Sequence, residues 1–470
     1  MPSLFISAAH KSSGKTTVSI GLTAAFAHRN LNVQPFKKGP DYIDPIWLSM
    51  AAGNPCYNLD YFTSGRAETI DDYARRSQHS DLSIIEGNKG LYDGLDLDGS
   101  NSNAALAKSI SAPVILVIDV RGTMRGIAPL LVGYEAFDPD INIAGVIANM
   151  CGGPRHESKL RAAVEHYTDI PFIGAIQKQD SLALTEQHLG LIPGNEDPTS
   201  IQKISHIRQS VEDQLDIDRL LNIAKSATQP IAQDVTFPVA KQESFKGIRI
   251  GIAKDKAFGF YYPGDLEAMS QSGAILCPFD TLTDKALPDV DALFIGGGFP
   301  ERHAAALQNN STLRAEIKSK IESGMPAYVE CGGLMYLSKK ISWKGESFDM
   351  VGAIPGDTIM HDKPCGRGYV KLTENHDNSL WPQGNQPAAT INAHEFHYSS
   401  LIGLPESSNF AYDVKRGTGI QNQKDGLVYK NLFASYAHLR HTRNTPWVNR
   451  FLAFVSDVKF SHQNTYLKAL

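Results

Sequence analysis

Residues 9–16 read AHKSSGKT, a run of small residues that ends in the Gly-Lys-Thr typical of phosphate-binding loops. They lie between an apolar stretch at residues 4–8, which predicts a strand, and residues 16–29, whose apolar spacing predicts a helix. Small residues let successive backbone N–H groups surround phosphate oxygens, and the helix N-terminus adds a positive dipole. In such a loop Lys15 reaches the β- and γ-phosphates and the Thr16 hydroxyl binds Mg²⁺. The loop departs from the usual pattern at Ala9, where a first glycine is expected. The residues predicted to hold the nucleotide are Ser12, Ser13, Gly14, Lys15, Thr16 and Thr17.

Two acidic segments follow the next predicted strands and supply the metal ligands that phosphoryl transfer needs beyond Thr16. They read GPDYIDP at residues 39–45 and EGNKGLYDG at residues 86–94. The carboxyl ends of parallel strands meet at one edge of a sheet, so both segments are expected beside the phosphate loop. Glu86 directly follows a β-branched strand, the position of a metal-binding carboxylate in nucleotide hydrolases. The alternative is that these carboxylates only form turns beside their glycines.

A second chemical pattern is AYVECGGLMYL at residues 327–337: a strand, a cysteine, two glycines and a helical run. This is the layout of a nucleophile on a sharp turn, where the helix N-terminus lowers the thiol pKa and N–H groups receive an oxyanion. The glycine-rich GGGFPE at residues 296–301 can bring further backbone donors. A nucleophilic Cys331 needs a histidine base from elsewhere in the chain. Sequence spacing leaves four candidates open, His394, His397, His438 and His441.

Cys331 and the candidate histidines also have alternative roles that do not involve catalysis. Cys331 can be a buried, inert thiol, as many free cysteines are. The two His-x-x-His pairs can suggest a structural zinc, but they have no cysteine or acidic partners in a recognisable pattern, so we predict no structural metal site.

The elements that position these residues read as two successive strand–helix series. Apolar strands predicted at residues 4–8, 82–86, 114–119 and 143–149 indicate a parallel sheet covered on both faces. The strand rhythm stops at residues 222–246, where Pro230 and Pro238 occur, and resumes at residue 247. We therefore predict an α/β protein with a first domain at residues 1–225 and a linker at residues 226–246. A second domain follows at residues 247–445, with a C-terminal extension at residues 446–470.

Composition excludes several classes of protein. The 470 residues contain 45 Lys and Arg against 50 Asp and Glu, a net charge of −5 that argues against nucleic-acid binding. The five cysteines form no CxxC pair, which disfavours a disulfide framework and indicates a reducing compartment. The apolar stretches fall short of the roughly 18 residues of a membrane span. We expect a cytoplasmic protein without membrane or nucleic-acid partners.

The order of the motifs resembles the cobyrinic acid a,c-diamide synthase family, glutamine-dependent amidotransferases of tetrapyrrole biosynthesis. The resemblance runs from about residue 4 to about residue 443. Its motifs are GPDYIDP at 39–45, NLD at 58–60, EGNKGLYDG at 86–94, HLGL at 188–191, Asp255 with AF at 257–258, FYY at 260–262, GGGFPE at 296–301, ECGG at 330–333, HEFHY at 394–398 and SYAH at 435–438.

The resemblance implies a carbon–nitrogen ligase with a P-loop NTPase-type synthetase domain and a class I glutaminase-like domain. It implies Mg²⁺, with ATP and L-glutamine as co-substrates, and a carboxylate activated as an acyl phosphate. Cys331 is then the glutaminase nucleophile and His438 its base, while the third triad member is not evident because residue 440 is Arg. The other implied roles are Mg²⁺ at Thr16, Asp41 and Glu86; substrate and acyl phosphate near Tyr42, Ile43, Asp44 and Asp93; adenine at Asn149; and the oxyanion at Gly298 and Gly332.

The acceptor and the quaternary structure stay open at this point. The chain departs from the family at Lys11, Gln187 and the Asn392-Ala393 pair, so siroheme or sirohydrochlorin, including the nickel form, is the alternative to the a and c carboxylates of cobyrinic acid. A homodimer is a family expectation only. An alternative of another class, favoured by Lys11, is a dimeric P-loop ATPase switch, which leaves Cys331 without a role. The basic residues that can attract an anionic macrocycle, or simply be solvated, are Lys37, Lys38, Arg121, Arg125 and Arg155.

Overall fold

The computed structural model describes residues 1–179, 182, 184, 186–187, 190–228, 244–381 and 390–469. The chain divides into two compact units. The first contains Met1–Tyr61 and Gly65–Thr236, and the second contains Phe62–Ser64 and Phe237–Leu470. Most of the predicted linker at residues 226–246, and His188 and Leu189 of the HLGL motif, lie outside the described residues.

In the described part of the first unit, seven parallel strands form one sheet in the order β3-β2-β4-β1-β5-β6-β7. The strands are β1 Ser3–Ala8, β2 Val33–Lys38, β3 Tyr57–Leu59, β4 Leu82–Gly90, β5 Val114–Asp119, β6 Ile143–Cys151 and β7 Phe172–Gln177, with a separate pair β8 Glu186–Gln187 and β9 Gly190–Leu191. The helices are α1 Lys15–His28, α2 Ile43–Ala52, α4 Arg66–Ser77, α5 Asn103–Ser109, α6 Ile127–Phe137, α7 Pro154–Tyr167, α8 Ser200–Gln214 and α9 Ile217–Lys225. The short helix α3 Tyr61–Ser64 begins in the first unit, and its residues Phe62–Ser64 belong to the second.

This sheet is buried on both faces, as its continuous apolar strands predict. In β1, Leu4 and Ile6 join a core with residues of α1, α2 and α8, whereas Phe5 joins a second core with residues of α5, α6 and α7. Successive side chains of a strand point to opposite faces, so the two cores lie on the two sides of the sheet. The prediction of a parallel α/β domain is confirmed. The central position of β1 between β4 and β5 brings the loops after β1, β2 and β4 to one edge.

The second unit has a mixed sheet. Among its described residues, five parallel strands in the order β12-β10-β13-β15-β24 continue into four antiparallel strands, β23-β22-β19-β20. The strands are β10 Arg249–Ala253, β11 Phe258–Phe260, β12 Ile275–Phe279, β13 Ala292–Ile295, β14 Gly297–Gly298, β15 Ala327–Glu330, β16 Lys340–Trp343, β17 Glu346–Asp349, β18 Asp357–Met360, β19 Gly366–Glu374, β20 Thr390–His397, β21 Ser399–Ile402, β22 Asn409–Arg416, β23 Lys424–Tyr429 and β24 Leu432–Ser435. The helices are α10 Pro263–Gln271, α11 Ala304–Asn309, α12 Ser311–Glu322, α13 Gly332–Leu337 and α14 Trp447–Ala469, with a 3₁₀ turn at Pro300–His303.

Helix α14 lies in residues 446–470, the predicted C-terminal extension. Trp447, Val448, Phe451, Leu452 and Val455 are buried in the core of the second unit. The helix therefore belongs to that unit, because its apolar face covers the sheet. Of the helices whose residues are described, none combines the length and the apolar character that crossing a membrane requires.

Candidate active sites

The phosphate loop joins β1 to α1, as predicted. Gly14 has φ +80°, a left-handed conformation that glycine adopts at little cost. The Asn149 side-chain Nδ2 donates to the Ser13 carbonyl at 2.8 Å, and a Cβ on Gly14 would overlap this amide. Asn149, which the family resemblance places at adenine, lies at the end of β6. In the structure its side chain holds the phosphate loop through this hydrogen bond. Ser12 and Lys11 are exposed, and Thr17 is half-buried in the first turn of α1.

Glu86 is the centre of the polar network behind the loop. Its Oε1 accepts hydrogen bonds from Lys15 Nζ at 2.6 Å, Thr16 Oγ1 at 2.7 Å and Lys37 Nζ at 3.0 Å. The strand register explains this convergence, because Glu86 of β4 lies opposite Lys37 of β2 and Ile6 of β1. Glu86 is fully buried, and its Oε2 has no hydrogen-bond partner among the residues that the structure describes.

Lys37 connects this network to the acidic segment before α2. It donates a short hydrogen bond to Asp44 Oδ2, which also accepts from Thr16 Oγ1 at 3.3 Å. Asp41 lies further away, at 3.7 Å from Lys37 Nζ, and its Oδ1 accepts from the backbone N–H of Ile43 at 2.9 Å. Burial alone would lower the pKa of Lys37, but Asp44, Glu86 and Asp41 together raise this pKa well above its ordinary value. Lys37 is therefore charged and internal, not a solvated surface lysine.

The oxygen atoms around Thr16 fit a magnesium ion. Mg²⁺ prefers oxygen ligands and is usually held by one or two carboxylates together with substrate phosphates. The Thr16 hydroxyl, the unpartnered Oε2 of Glu86 and the nearby Asp44 carboxylate offer such a set. In the described ranges no group of three or more His, Cys, Asp or Glu side chains is arranged to hold a metal by protein ligands alone.

The remaining predicted residues of the first unit have separate places. Asp93 Oδ2 accepts from the Gly90 N–H at 3.1 Å, so this carboxylate closes a turn after β4. Tyr42 is buried just before α2, and Ile43 is half-buried at its start. Lys38 is buried and donates to the Asn101 carbonyl at 2.9 Å, and burial lowers its pKa to about 8. Of the basic residues predicted to attract an anionic macrocycle, Arg121, Arg125 and Arg155 are exposed.

In the second unit, Cys331 occupies a strained turn between β15 and α13. Its φ of +46° and ψ of −100° lie outside the conformations that a cysteine adopts freely. The turn is possible because glycines surround it: a Cβ on Gly332 would lie 2.9 Å from Gly298 N, and a Cβ on Gly298 would overlap the Ala257 carbonyl. The two predicted oxyanion glycines therefore approach each other through backbone atoms.

His438 is brought to Cys331 by neighbouring strands. Strands β15 and β24 pair in parallel with Glu330 opposite Ser435, and the Cys331 N–H donates to the Ser435 carbonyl at 2.8 Å. His438 follows β24 at the same edge. Its burial would lower the imidazole pKa, but hydrogen bonds with Cys331 and Glu330 raise it to about 10.

The other three candidate histidines have different environments. The His394 ring centroid lies 6.4 Å from that of His438. His397 Nδ1 lies 2.8 Å from the Ser399 carbonyl, and His441 Nδ1 accepts from the Val448 N–H at 3.3 Å. The structure thus distinguishes among candidates that sequence spacing leaves equal.

Two carboxylates at this site are absent from the sequence prediction. Glu330 Oε2 lies 3.1 Å from His438 Nδ1, and Asp425 accepts from the N–H groups of Tyr436 and Ala437 at 3.1 and 3.0 Å. The sequence signals for Glu330 are its place beside Cys331 and its position in the ECGG motif. Asp425 has none, because its contact depends on the pairing of β23 with β24.

Comparison with known proteins follows the same division. Residues 5–191 match the CobQ/CobB/MinD/ParA nucleotide binding domain, and residues 249–446 match the CobB/CobQ-like glutamine amidotransferase domain. A cobyrinate a,c-diamide synthase of Magnetococcus marinus is 46% identical and covers 96% of this chain and 97% of its own. Proteins of the same name from Methanosarcina acetivorans and Methanosarcina barkeri are 41% and 39% identical, and each alignment covers 93% of this chain and 92% and 93% of theirs.

The matched domains and the two sites define a glutamine-dependent, amide-forming ligase with a nucleotide-binding P-loop domain. This class replaces the alternative of a dimeric P-loop switch. The chain belongs to the cobyrinate a,c-diamide synthase family, which confirms the predicted family and fold class.

Proposed function

We propose that the protein amidates the a and c peripheral carboxylates of a tetrapyrrole of the cobyrinic acid type, with ATP and glutamine as co-substrates. The observation that carries this proposal is similarity over nearly the full chain to relatives named cobyrinate a,c-diamide synthase. The geometry of the two sites supports one half-reaction in each unit.

In the glutaminase half-reaction, the Cys331 thiolate attacks the side-chain amide carbon of glutamine. The resulting oxyanion accepts hydrogen bonds from the backbone N–H groups of Gly298 and Gly332. His438 then gives a proton to the leaving nitrogen, so ammonia departs and a thioester remains. Water, deprotonated by the same imidazole, cleaves the thioester to glutamate and restores the thiol. The support is the strained turn at Cys331 and its hydrogen-bonded histidine.

In the synthetase half-reaction, a macrocycle carboxylate attacks the γ-phosphorus of ATP and gives an acyl phosphate and ADP. Ammonia attacks the acyl carbon and expels phosphate, which yields the amide. The carboxylate needs this activation because it is a poor electrophile. Lys15 and the loop N–H groups hold the phosphates. The remaining residues assigned near the nucleotide and acceptor are Ser12, Ser13, Thr17, Tyr42, Ile43, Asp93 and Asn149.

Thr16 and Glu86 would hold Mg²⁺, whose charge offsets that of the phosphates when it is bound. Asp44 supports this site better than Asp41, because Asp44 contacts the Thr16 hydroxyl. Lys37 keeps Asp44 and Glu86 oriented toward the phosphates.

The test is a set of amidation assays with Mg·ATP, either glutamine or ammonium, and cobyrinic acid, sirohydrochlorin or siroheme, scored by mass spectrometry. We expect two amide groups on cobyrinic acid. Cys331→Ala should lose glutamine-dependent amidation by about 10³-fold or more and keep the ammonium-dependent reaction. Lys15→Ala should lose amidation with both donors by about 10²- to 10³-fold.

Matched controls are Cys277→Ala on the edge strand β12 and Lys108→Ala, whose lysine pairs with Asp138 at the surface. Both should behave as the unchanged protein. Amidation of siroheme or sirohydrochlorin alone would transfer the assignment to that acceptor. Amidation of none of the three, with ATP still hydrolysed, would contradict a tetrapyrrole substrate.

A further inference from the structure

The carboxylate of Glu330, the last residue of β15, is buried against the histidine of the glutaminase site. Its Oε2 lies 3.1 Å from His438 Nδ1. Its Oε1 accepts from the Leu439 N–H at 2.9 Å and, in a short hydrogen bond, from the Tyr328 hydroxyl. Only 3% of Glu330 is exposed, so the position of this carboxylate is determined by its partners.

The pairing of β15 with β24 brings Glu330 close to His438. Glu330 precedes Cys331 and lies opposite Ser435 in the parallel pair β15–β24, and His438 comes three residues after Ser435. Residue 440 is Arg, a side chain that donates hydrogen bonds and accepts none. The carboxylate beside the imidazole therefore comes from the residue before the nucleophile and not from the segment after the base.

The backbone around His438 has supports that do not involve Glu330. Asp425 holds the N–H groups of Tyr436 and Ala437, and the His438 N–H donates to the His394 carbonyl at 2.7 Å. Removal of the Glu330 charge should therefore leave the chain path in place and act on the imidazole ring.

We propose that Glu330 is the positioning carboxylate of the glutaminase site, accepting the Nδ1–H of His438 so that Nε2 faces Cys331. This inference rests on the proposed glutaminase function of Cys331 and His438. The hydrogen bond selects one tautomer and one ring orientation, and the negative charge stabilises the imidazolium that forms when the thiol gives up its proton.

Other ionisable groups around this pair set the background for any pH effect. His394 and His397 face His438, and both have pKa values lowered by burial, to about 3 and about 4. Both side chains are therefore neutral near pH 7, so neither adds a charge that interacts with the His438 imidazolium. The groups that interact electrostatically with Glu330 are Tyr261, Asp265, Tyr328 and Tyr412.

The test compares Glu330→Gln with the unchanged protein in glutamine hydrolysis across pH. We expect kcat to fall about 10²- to 10³-fold while KM changes by less than about threefold, because the base is misdirected and the substrate pocket is not altered. The alkaline limb of the pH profile should move to lower pH, since His438 loses the carboxylate that favours its protonated form. Ammonium-dependent amidation should stay unchanged.

Glu374→Gln is the matched control. Glu374 is another buried carboxylate of the second unit, but its ionic partner is Arg450, at 2.7 Å. This variant should retain the alkaline limb of the unchanged protein. Glu330→Asp, which keeps the charge on a side chain shorter by one methylene, should recover part of the lost kcat.

A Glu330→Gln protein with an unmoved alkaline limb, or with kcat within twofold of the unchanged protein, would overturn the proposal. A loss matched by Glu374→Gln, in proportion to loss of folded protein, would also overturn it and make Glu330 structural. If Glu330→Gln does not fold, ¹⁵N NMR of the unchanged protein decides, recorded across the alkaline range in which His438 becomes neutral, with His438→Ala for assignment. A neutral His438 protonated at Nε2 would contradict the proposal, and one protonated at Nδ1 would support it.

Failure of the proposed function would give a different pattern. The unchanged protein would then not hydrolyse glutamine, or Cys331→Ala would still do so, whatever the behaviour of Glu330.

Discussion

The two units stabilise buried charge at their sites by different means. In the first unit, the carboxylates of Glu86 and Asp44 meet the ammonium groups of Lys15 and Lys37. Each charge faces an opposite charge on a side chain, although burial still lowers the pKa of Lys15 and raises that of Asp44. In a low-dielectric interior such pairs are strong, but removal of one partner leaves the other exposed to the full cost of burial.

In the second unit, two buried carboxylates near the glutaminase site are held by N–H groups. Asp425 accepts from backbone N–H groups beside His438, and Asp265 accepts from the His441 N–H at 2.9 Å and from Trp447 Nε1 at 3.0 Å. These donors carry no charge, so burial affects the pKa of each carboxylate more than its hydrogen bonds do. It raises the pKa of Asp425 to about 6 and that of Asp265 to about 7.

This difference suits the two kinds of chemistry. Side-chain charges can change partners, so lysines paired with carboxylates can turn to the phosphates of a nucleotide and leave carboxylate oxygens for a cation. Backbone donors cannot leave their positions, so they fix the turn at Cys331 and the segment that carries His438. The first site is arranged for exchange of ionic partners, and the second for a constant geometry.

The largest effect is expected from loss of an ionic partner in the first unit. Lys37→Met should lower the free energy of unfolding by about 3–5 kcal/mol, because Glu86 and Asp44 then lack a counter-charge in a buried place. Lys108→Met is the comparison, since its ion pair with Asp138 lies at the surface and should be worth about 0–1 kcal/mol. Urea unfolding of both variants measures this, and equal effects would refute the proposed role of side-chain pairing.

A smaller effect is expected from crowding the backbone of the second unit. Gly298→Ala introduces a Cβ that overlaps the Ala257 carbonyl, so it should cost about 1–3 kcal/mol of stability and about 10²-fold in glutamine hydrolysis. Gly133→Ala in α6, where a Cβ meets nothing within 4 Å, should be neutral or slightly stabilising. Thermal unfolding and glutaminase assays test the pair. A Gly298→Ala protein with full glutaminase activity would show that close backbone approach is not required.

The third effect depends on pH and concerns a carboxylate bonded to N–H donors. The folded-state pKa of Asp265, about 7, lies above its unfolded value of about 4, so the folded state binds the proton more tightly. Its stabilising contribution is full at low pH and is lost as pH rises between about 4 and about 7, with a slope of up to about 1.4 kcal/mol per pH unit. The stability difference between the unchanged protein and Asp265→Asn should fall over this range and level off above it. Urea titrations followed by tryptophan fluorescence, to which Trp447 contributes, measure the slope; a difference that rises with pH would contradict the raised pKa.

Local patterns predicted the strands, turns and helices around both candidate sites. The phosphate loop and the strand–Cys–Gly–Gly–helix segment are recognisable because each is built from consecutive residues. The parallel strands were predictable because strands buried on both faces read as continuous apolar runs. The antiparallel strands β19, β20, β22 and β23 are not predicted from the sequence. Buried residues in β20 alternate with half-buried ones, so this strand has no continuous apolar run.

The residues that were missed owe their roles to distant pairing. Glu330 acquires its role from a histidine more than a hundred residues later, and Lys37 reads equally well as a solvated lysine until β4 is placed beside β2. Burial of helix α14 likewise depends on a sheet whose strands come from the whole second unit.

Because β15 pairs in parallel with β24, the distance between Cys331 and His438 does not depend on how many residues the chain has between the two strands. Between Cys331 and His438 the chain leaves the pair, forms other strands and returns, yet the register of Glu330 with Ser435 fixes the spacing. Exposed turns on this route, such as residues 403–408, can therefore accept an inserted tag or reporter peptide at modest entropic cost. A single residue added between Ser435 and His438 has the opposite consequence, because it rotates the imidazole away from the thiol. The exposed turns between Cys331 and Ser435 can therefore be changed in length, whereas the three residues 436–438 cannot.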